Sequence, residues 1–166
     1  MPGLQREAAG VVGDLILGAG ESSVGVRVMT REPWLIHFFQ LHPDDDLHRA
    51  VPTIEFFDRL PPKLVAEFQA VLDAVAEAPP PAFCGGGKWE AMHDEMAGFY
   101  EVRIQGGGMN HRLFCVLERG AADLGGSSIV VIDGLSKPKR SVADPKDYRC
   151  ARAMRDEFQR RRTVLE

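Results

Sequence analysis

Cysteine is scarce in this chain: 166 residues carry three, at Cys84, Cys115 and Cys150. An odd count with no CxxC pair offers no disulfide framework, and with no secretory leader near the start it points to free thiols in a reducing compartment, the cytoplasm. Long apolar runs are missing too. The stretch VVGDLIL is far shorter than a bilayer span and carries Asp14, so neither a membrane helix nor a signal peptide is expected. Net positive charge is also lacking, since 20 Lys and Arg face 24 Asp and Glu, giving −4. That total hides an asymmetry: residues 1–97 sum to −8 and residues 98–166 to +4. One basic working face on an otherwise acidic body is the expectation.

The familiar motifs of nucleotide, metal and acyl chemistry are absent as well. Gly18-Ala19-Gly20 begins like a dinucleotide loop, but Ser23 stands where the third glycine belongs and no clear helix follows. Gly85-Gly86-Gly87-Lys88 fails as a phosphate loop, because Ala82 and Trp89 occupy the positions of the required Gly and Ser or Thr. His37 and His42 lie five apart on an expected strand and so face opposite sides. The cluster His93-Asp94-Glu95 has no second group to complete a metal shell, so no metal and no other cofactor is expected. No GxSxG elbow is present, and Cys115, with Leu113 and Leu117 on its own side, reads as core.

What the chain does contain is a clear succession of elements. Residues 1–30, with the linker-like stretch GAGESSVG, read as a poorly structured N-terminal extension, with Met29 expected as the natural start. Residues 31–166 read as one domain. PWLIHFFQLH is strand-like, and the acidic PDDD ends it. VPTIEFFDRL and PPKLVAEFQAVLDAVAEA read as two helices; in the second, Leu64, Phe68, Val71, Leu72 and Val75 make one apolar face. FYEVRI, HRLFCVLE and SIVVIDGL, joined by glycine-rich turns, read as an antiparallel meander. A last helix runs from Asp144 or Pro145 to about Arg162. The class is α+β, in the order strand, helix, helix, three strands, helix, with the helices on one face of the sheet.

The residues left for chemistry are cations. Arg103 closes the first meander strand and Arg112 opens the second, so pairing across the Gly106–Gly108 turn brings them together. Alternation sets Phe99, Glu101 and Arg103 on one side and the apolar Tyr100, Val102 and Ile104 on the other, facing the helices. Lys137, Lys139 and Arg140 follow the third strand, after an expected break at Gly134. Convergence of these groups would make a site for a polyanion; pairing of Arg103 with Glu101 or Glu118, and free solvation of the lysines, is the plainer alternative.

Several segments together carry a resemblance: FFDRLPPKLVAEFQAVLDAVAE, GFYEVRI, HRLFCVLE, IVVIDGLSKPKR and DYRCARAMRDEF. From Trp34 to Arg162 the chain resembles the RelE/HigB superfamily of toxin endoribonucleases, in particular its phage-derived, HigB-like branch. The resemblance implies a strand–helix–helix–meander fold and cleavage of mRNA, often on the ribosome. It further implies a neutralising antitoxin, commonly a helix-turn-helix protein. By position, the family's strand arginines fall on Arg103 and Arg112 and its basic loop on Lys137 and Lys139. The chain departs from the family pattern at Pro138, which separates the two lysines, at His111, where Tyr is common, and in its acidic total charge.

RNA can be cut through its own 2′-hydroxyl, which needs a proton acceptor, charge stabilisation at phosphorus and a proton donor for the leaving oxygen. Arg103 and Arg112 suit the second task through their planar forks of donors. Lys137 and Lys139 would hold the backbone or exchange protons. His111 and Tyr148 are the candidates for acid and base, although alternation puts His111 on the side away from Arg112. Lys88 and Arg140 would touch the RNA backbone, and Trp89 would stack on a base or plug the core.

Overall fold

The computed structural model describes residues 32–78 and 87–165. The expected N-terminal extension, residues 1–30, lies outside the described residues, as do Cys84, Gly85 and Gly86. The elements run β1 (Leu35–Phe38), α1 (Pro52–Phe57), α2 (Pro62–Glu77), β2 (Trp89–Ala91), β3 (Tyr100–Gly106), β4 (Met109–Ala121), β5 (Gly126–Pro138) and α3 (Pro145–Arg161). All three helices carry proline in their first turn, where the missing N–H costs no bond. At α3 the Asp144 side chain also accepts a hydrogen bond from the Lys146 N–H at 2.8 Å, which caps the helix.

The class is α+β, as the patterning predicts, but the sheet is larger and mixed. It has five strands in the order β1-β5-β4-β3-β2. β3, β4 and β5 pair antiparallel, while β1 pairs parallel to β5, with Leu35 opposite Ser128 and Phe38 opposite Val131. The edge strand β2 has only three residues, too few for alternation to register in the sequence. β3 turns into β4 through Gly107 and Gly108, both with positive φ (57° and 77°), a two-residue turn that suits glycine.

The helices do not share one face. Phe56 of α1 and Leu64, Phe68, Leu72 and Val75 of α2 pack against Val102, Ile104, Leu113, Cys115, Ile129 and Val131. On the opposite face, Ala151 and Phe158 of α3 pack with Phe99, Phe114, Val116, Val130 and Ile132. The expectation of a single helical layer is therefore corrected. The reason lies in β5, where Ile129, Val130, Val131 and Ile132 are all 0% exposed. A strand apolar at consecutive positions needs cover on both sides.

β5 also runs straight through Gly134 to Pro138, so Lys137 lies within the strand rather than after it. A register shift accompanies this: Phe114 faces Asp133, whereas Cys115 faces Val131, leaving one extra residue on β5. The bulge exchanges the faces of the strand. Before it, the even residues Val130 and Ile132 look toward α3; beyond it, Leu135 does. Among the described residues no helix is long and apolar enough to cross a membrane.

Candidate functional site

Beyond the N-terminal end of α3 the sheet leaves an open patch on the α3 side. Register fixes what stands there. Arg103 is the direct cross-strand partner of Arg112, which in turn is opposite Leu135. Two residues further along, Gln105 faces Asn110, and Asn110 faces Lys137. Two residues the other way, Glu90 of β2 faces Glu101 of β3. Alternation places these side chains on one face. Arg103, Gln105, Asn110 and Arg112, with Ile104 and His111, line a depression of about 200 Å³.

Two guanidinium groups directly opposite each other on neighbouring strands repel. Glu101 relieves this. Its side chain is only 3% exposed, and it holds both arginines. Arg103 Nε donates to Glu101 Oε1 at 2.6 Å, with Nη2 on the same oxygen. Arg112 Nη1 donates to Glu101 Oε2 at 2.9 Å. A buried carboxylate shared by two cations is tightly held, because losing either partner leaves uncompensated charge in a low dielectric. Arg103 Nη1 also pairs with Glu90 Oε2 at 2.7 Å, in a half-exposed bridge. Arg112, 19% exposed, has a long contact to the Tyr148 hydroxyl at 3.5 Å, and its Nε is buried with no partner among the described residues.

The lysine segment is fastened to the same region. Lys137 Nζ donates to the Ser141 carbonyl, and Asn110 Nδ2 donates to the Lys139 carbonyl at 3.3 Å. The Lys139 N–H donates to the Gly108 carbonyl at 3.3 Å. The Lys139 and Arg140 side chains are exposed, with no ion-pair partner among the described residues. Tyr148 packs edge-on against Phe114, with ring centroids 5.8 Å apart, which sets its hydroxyl beside Arg112.

The structure thus sets Arg103, Arg112 and Lys137 on one face of the sheet, with Tyr148 beside Arg112 and with Lys139 and Arg140 on the adjoining turn. His111 lines the same depression, but its ring does not join them. That residue is buried on the α1–α2 side, its Nδ1 2.7 Å from Ser136 Oγ and its Nε2 3.2 Å from the Gly106 carbonyl. Both ring nitrogens are occupied in tying the β3–β4 turn to β5. Lys88 is exposed beside Arg103, whose N–H donates to the Lys88 carbonyl at 2.9 Å. Trp89 is buried, stacked on Tyr100 at 5.1 Å, and plugs the core. Glu118 pairs with Arg162 and not with Arg103.

Sequence reasoning missed Glu90, because its place beside Arg103 depends on the short β2. It treated Glu101 only as a neutralising neighbour; the signal for more was an acid two residues before Arg103, on the same face of the strand. No protein-family model matches the chain, and no curated protein matches it. Among solved structures it is similar to a chain of the toxin–antitoxin complex RelBE2 from Mycobacterium tuberculosis. The two are 13% identical with a TM-score of 0.41, over 63% of this chain and 99% of that one.

Proposed function

We propose that this chain is a RelE-like toxin that binds mRNA on the open basic face and cuts it without a metal, by attack of the RNA's own 2′-hydroxyl. The observation that carries the reading is the direct pairing of Arg103 with Arg112 on the same face as Lys137, with the Tyr148 hydroxyl at its rim. Planar guanidinium forks are matched to phosphate oxygens, and two of them side by side suit the dianionic phosphorane better than the monoanionic ground state. In this reading Arg103 and Arg112 hold the scissile phosphate. Lys137, Lys139, Arg140 and Lys88 carry the flanking backbone. The 2′-oxygen bonds to phosphorus as its proton passes to solvent water, the bond to the 5′-oxygen breaks, and that oxygen takes its proton from the Tyr148 hydroxyl or from water. Tyr148, whose hydroxyl lies 3.5 Å from Arg112 Nη1, would carry a proton. A helix-turn-helix antitoxin would cover the face, and the chain would act in the cytoplasm, where messages are translated.

The test is message cleavage during translation by the purified protein, with mapping of the new 5′ ends. Arg103→Ala and Arg112→Ala should each lower the cleavage rate by about 10²–10³-fold, the usual loss for one charge-stabilising donor. Equal survival of the message with wild type and with both variants would remove the basis of the reading.

A second reading has its own support. Glu101 and Glu90 already engage Arg103 on two sides, and among the described residues no histidine bonds to Arg103 or Arg112. A binding module of the same fold, holding RNA or an antitoxin without cutting, fits those features. Tight binding to a message that stays intact under all conditions would favour it.

A further inference from the structure

We infer that Glu101 is a positioning residue: a built-in anion that holds Arg103 and Arg112 side by side so that their remaining N–H groups meet a phosphate in a fixed geometry. The inference rests on the phosphate-binding reading of this face and assigns a role that the arginines alone do not explain.

Three observations support it. First, Arg103 and Arg112 are direct cross-strand partners, so without an anion between them their side chains would turn apart. Second, Glu101 uses both of its oxygens, one for each arginine, and is 3% exposed, so solvent does not compete for it. Third, the bonds leave a defined remainder. Glu101 takes Nε and Nη2 of Arg103 and one donor of Arg112 Nη1, which leaves Arg112 Nη2 and, once Glu90 moves, Arg103 Nη1 for a ligand. Glu90 differs from Glu101 on every count. It is 43% exposed, sits on a three-residue edge strand and meets only Arg103. An incoming phosphate can displace Glu90 from Arg103 Nη1 and leave the Glu101 bonds in place. Preorganised donors of this kind lower a barrier because they need no rearrangement when charge develops.

Glu101→Gln keeps the shape and one acceptor oxygen but removes the charge. Its signature is a split between binding and turnover. Affinity for a non-cleavable RNA oligonucleotide carrying 2′-O-methyl groups should stay within about threefold of wild type, since the face becomes more positive. Turnover per folded molecule should fall at least tenfold. Glu90→Gln should bind the same oligonucleotide more tightly, because Arg103 Nη1 is then free for the phosphate. Unchanged turnover per folded molecule in Glu101→Gln, or a parallel loss of affinity and turnover, overturns the inference.

A measurement on the unsubstituted protein keeps the question open to decision if Glu101→Gln does not fold. The Arg103 Nε–H, held by Glu101, should give a slowly exchanging NMR signal that persists when the oligonucleotide binds. Loss of that signal on binding, or its absence from the free protein, overturns the positioning role. If the wild type neither binds nor cuts RNA, the functional reading fails by itself. The Arg103 signal in the free protein then decides whether Glu101 orders the arginine pair.

Discussion

Gly134 lies against the ring of Phe56: a Cβ built on this glycine would come 2.3 Å from Phe56 Cδ1 and 2.6 Å from Cε1. Its φ is not positive, so the requirement for glycine is close approach of a helix side chain and not backbone conformation. The apolar run Ile129–Ile132 therefore continues through Gly134 as one strand, and the lysine beyond it is part of the sheet.

Gly134→Ala should overpack this contact. A loss of about 1–3 kcal/mol in unfolding free energy is expected, with little change in secondary structure. Urea denaturation followed by circular dichroism measures it. An unchanged midpoint would mean that α1 moves away from β5 freely.

Asp133 sits next to this contact and gives the fold a pH dependence. Burial pushes its carboxyl up to about 6; the Gly134 N–H and Arg59 oppose the rise, while Asp147 and Glu55 add to it. A carboxyl that holds its proton longer in the folded state binds more protons folded than unfolded between about pH 4 and pH 6. Stability contributed by this site therefore falls as pH rises through that window and is level above it. Asp133→Asn, which keeps an acceptor for Gly134, should match wild type near pH 4 and exceed it at pH 7 by up to about 3 kcal/mol. Equal stability of the two proteins at pH 7 would refute the assignment.

Cys115 and Cys150 should differ in reactivity toward a thiol reagent. Cys115 is 0% exposed in the α1–α2 core, and burial pushes its thiol well above the usual range. Cys150 is exposed on α3. Peptide mapping after brief alkylation at pH 8 should find Cys150 labelled and Cys115 labelled only after denaturation. Early labelling of Cys115 would reveal opening of the sheet's α2 face.

Lys139 and Arg140 offer a test of the basic turn that is independent of cleavage. Both are exposed and unpaired among the described residues, so each should displace counterions from a bound strand. Replacing both with alanine should reduce the slope of log affinity against log salt by about 1.4 for single-stranded RNA. An identical slope would show that the strand does not pass over this turn.

Much of the architecture can be read from local pattern, with definite limits. The α2 face of Leu64, Phe68, Val71, Leu72 and Val75 is buried as its spacing predicts, and Tyr100, Val102 and Ile104 face α2 as alternation predicts. The cations were likewise legible as residue types. Their electrostatic setting was not, because Glu90 reaches Arg103 through β2, which is too short to show a period. The setting of His111 was not legible for a related reason. Its partners, Ser136 and the Gly106 carbonyl, belong to β5 and the β3–β4 turn, and no local pattern names them.

The sequence alone determined the class, the helix faces and the turn at Gly107-Gly108, because these follow from neighbours a few residues apart. Only the tertiary structure decided that α3 covers the opposite face from α1 and α2, and that Lys137 shares a side with Arg112. The second point depends on one extra residue in β5 near Ile132 and Asp133, which reverses the strand's alternation before Leu135 and Lys137. A bulge is set by how two strands align over their whole length, and strict alternation carried forward from Ile129 would have placed that lysine among the apolar side chains beneath α1.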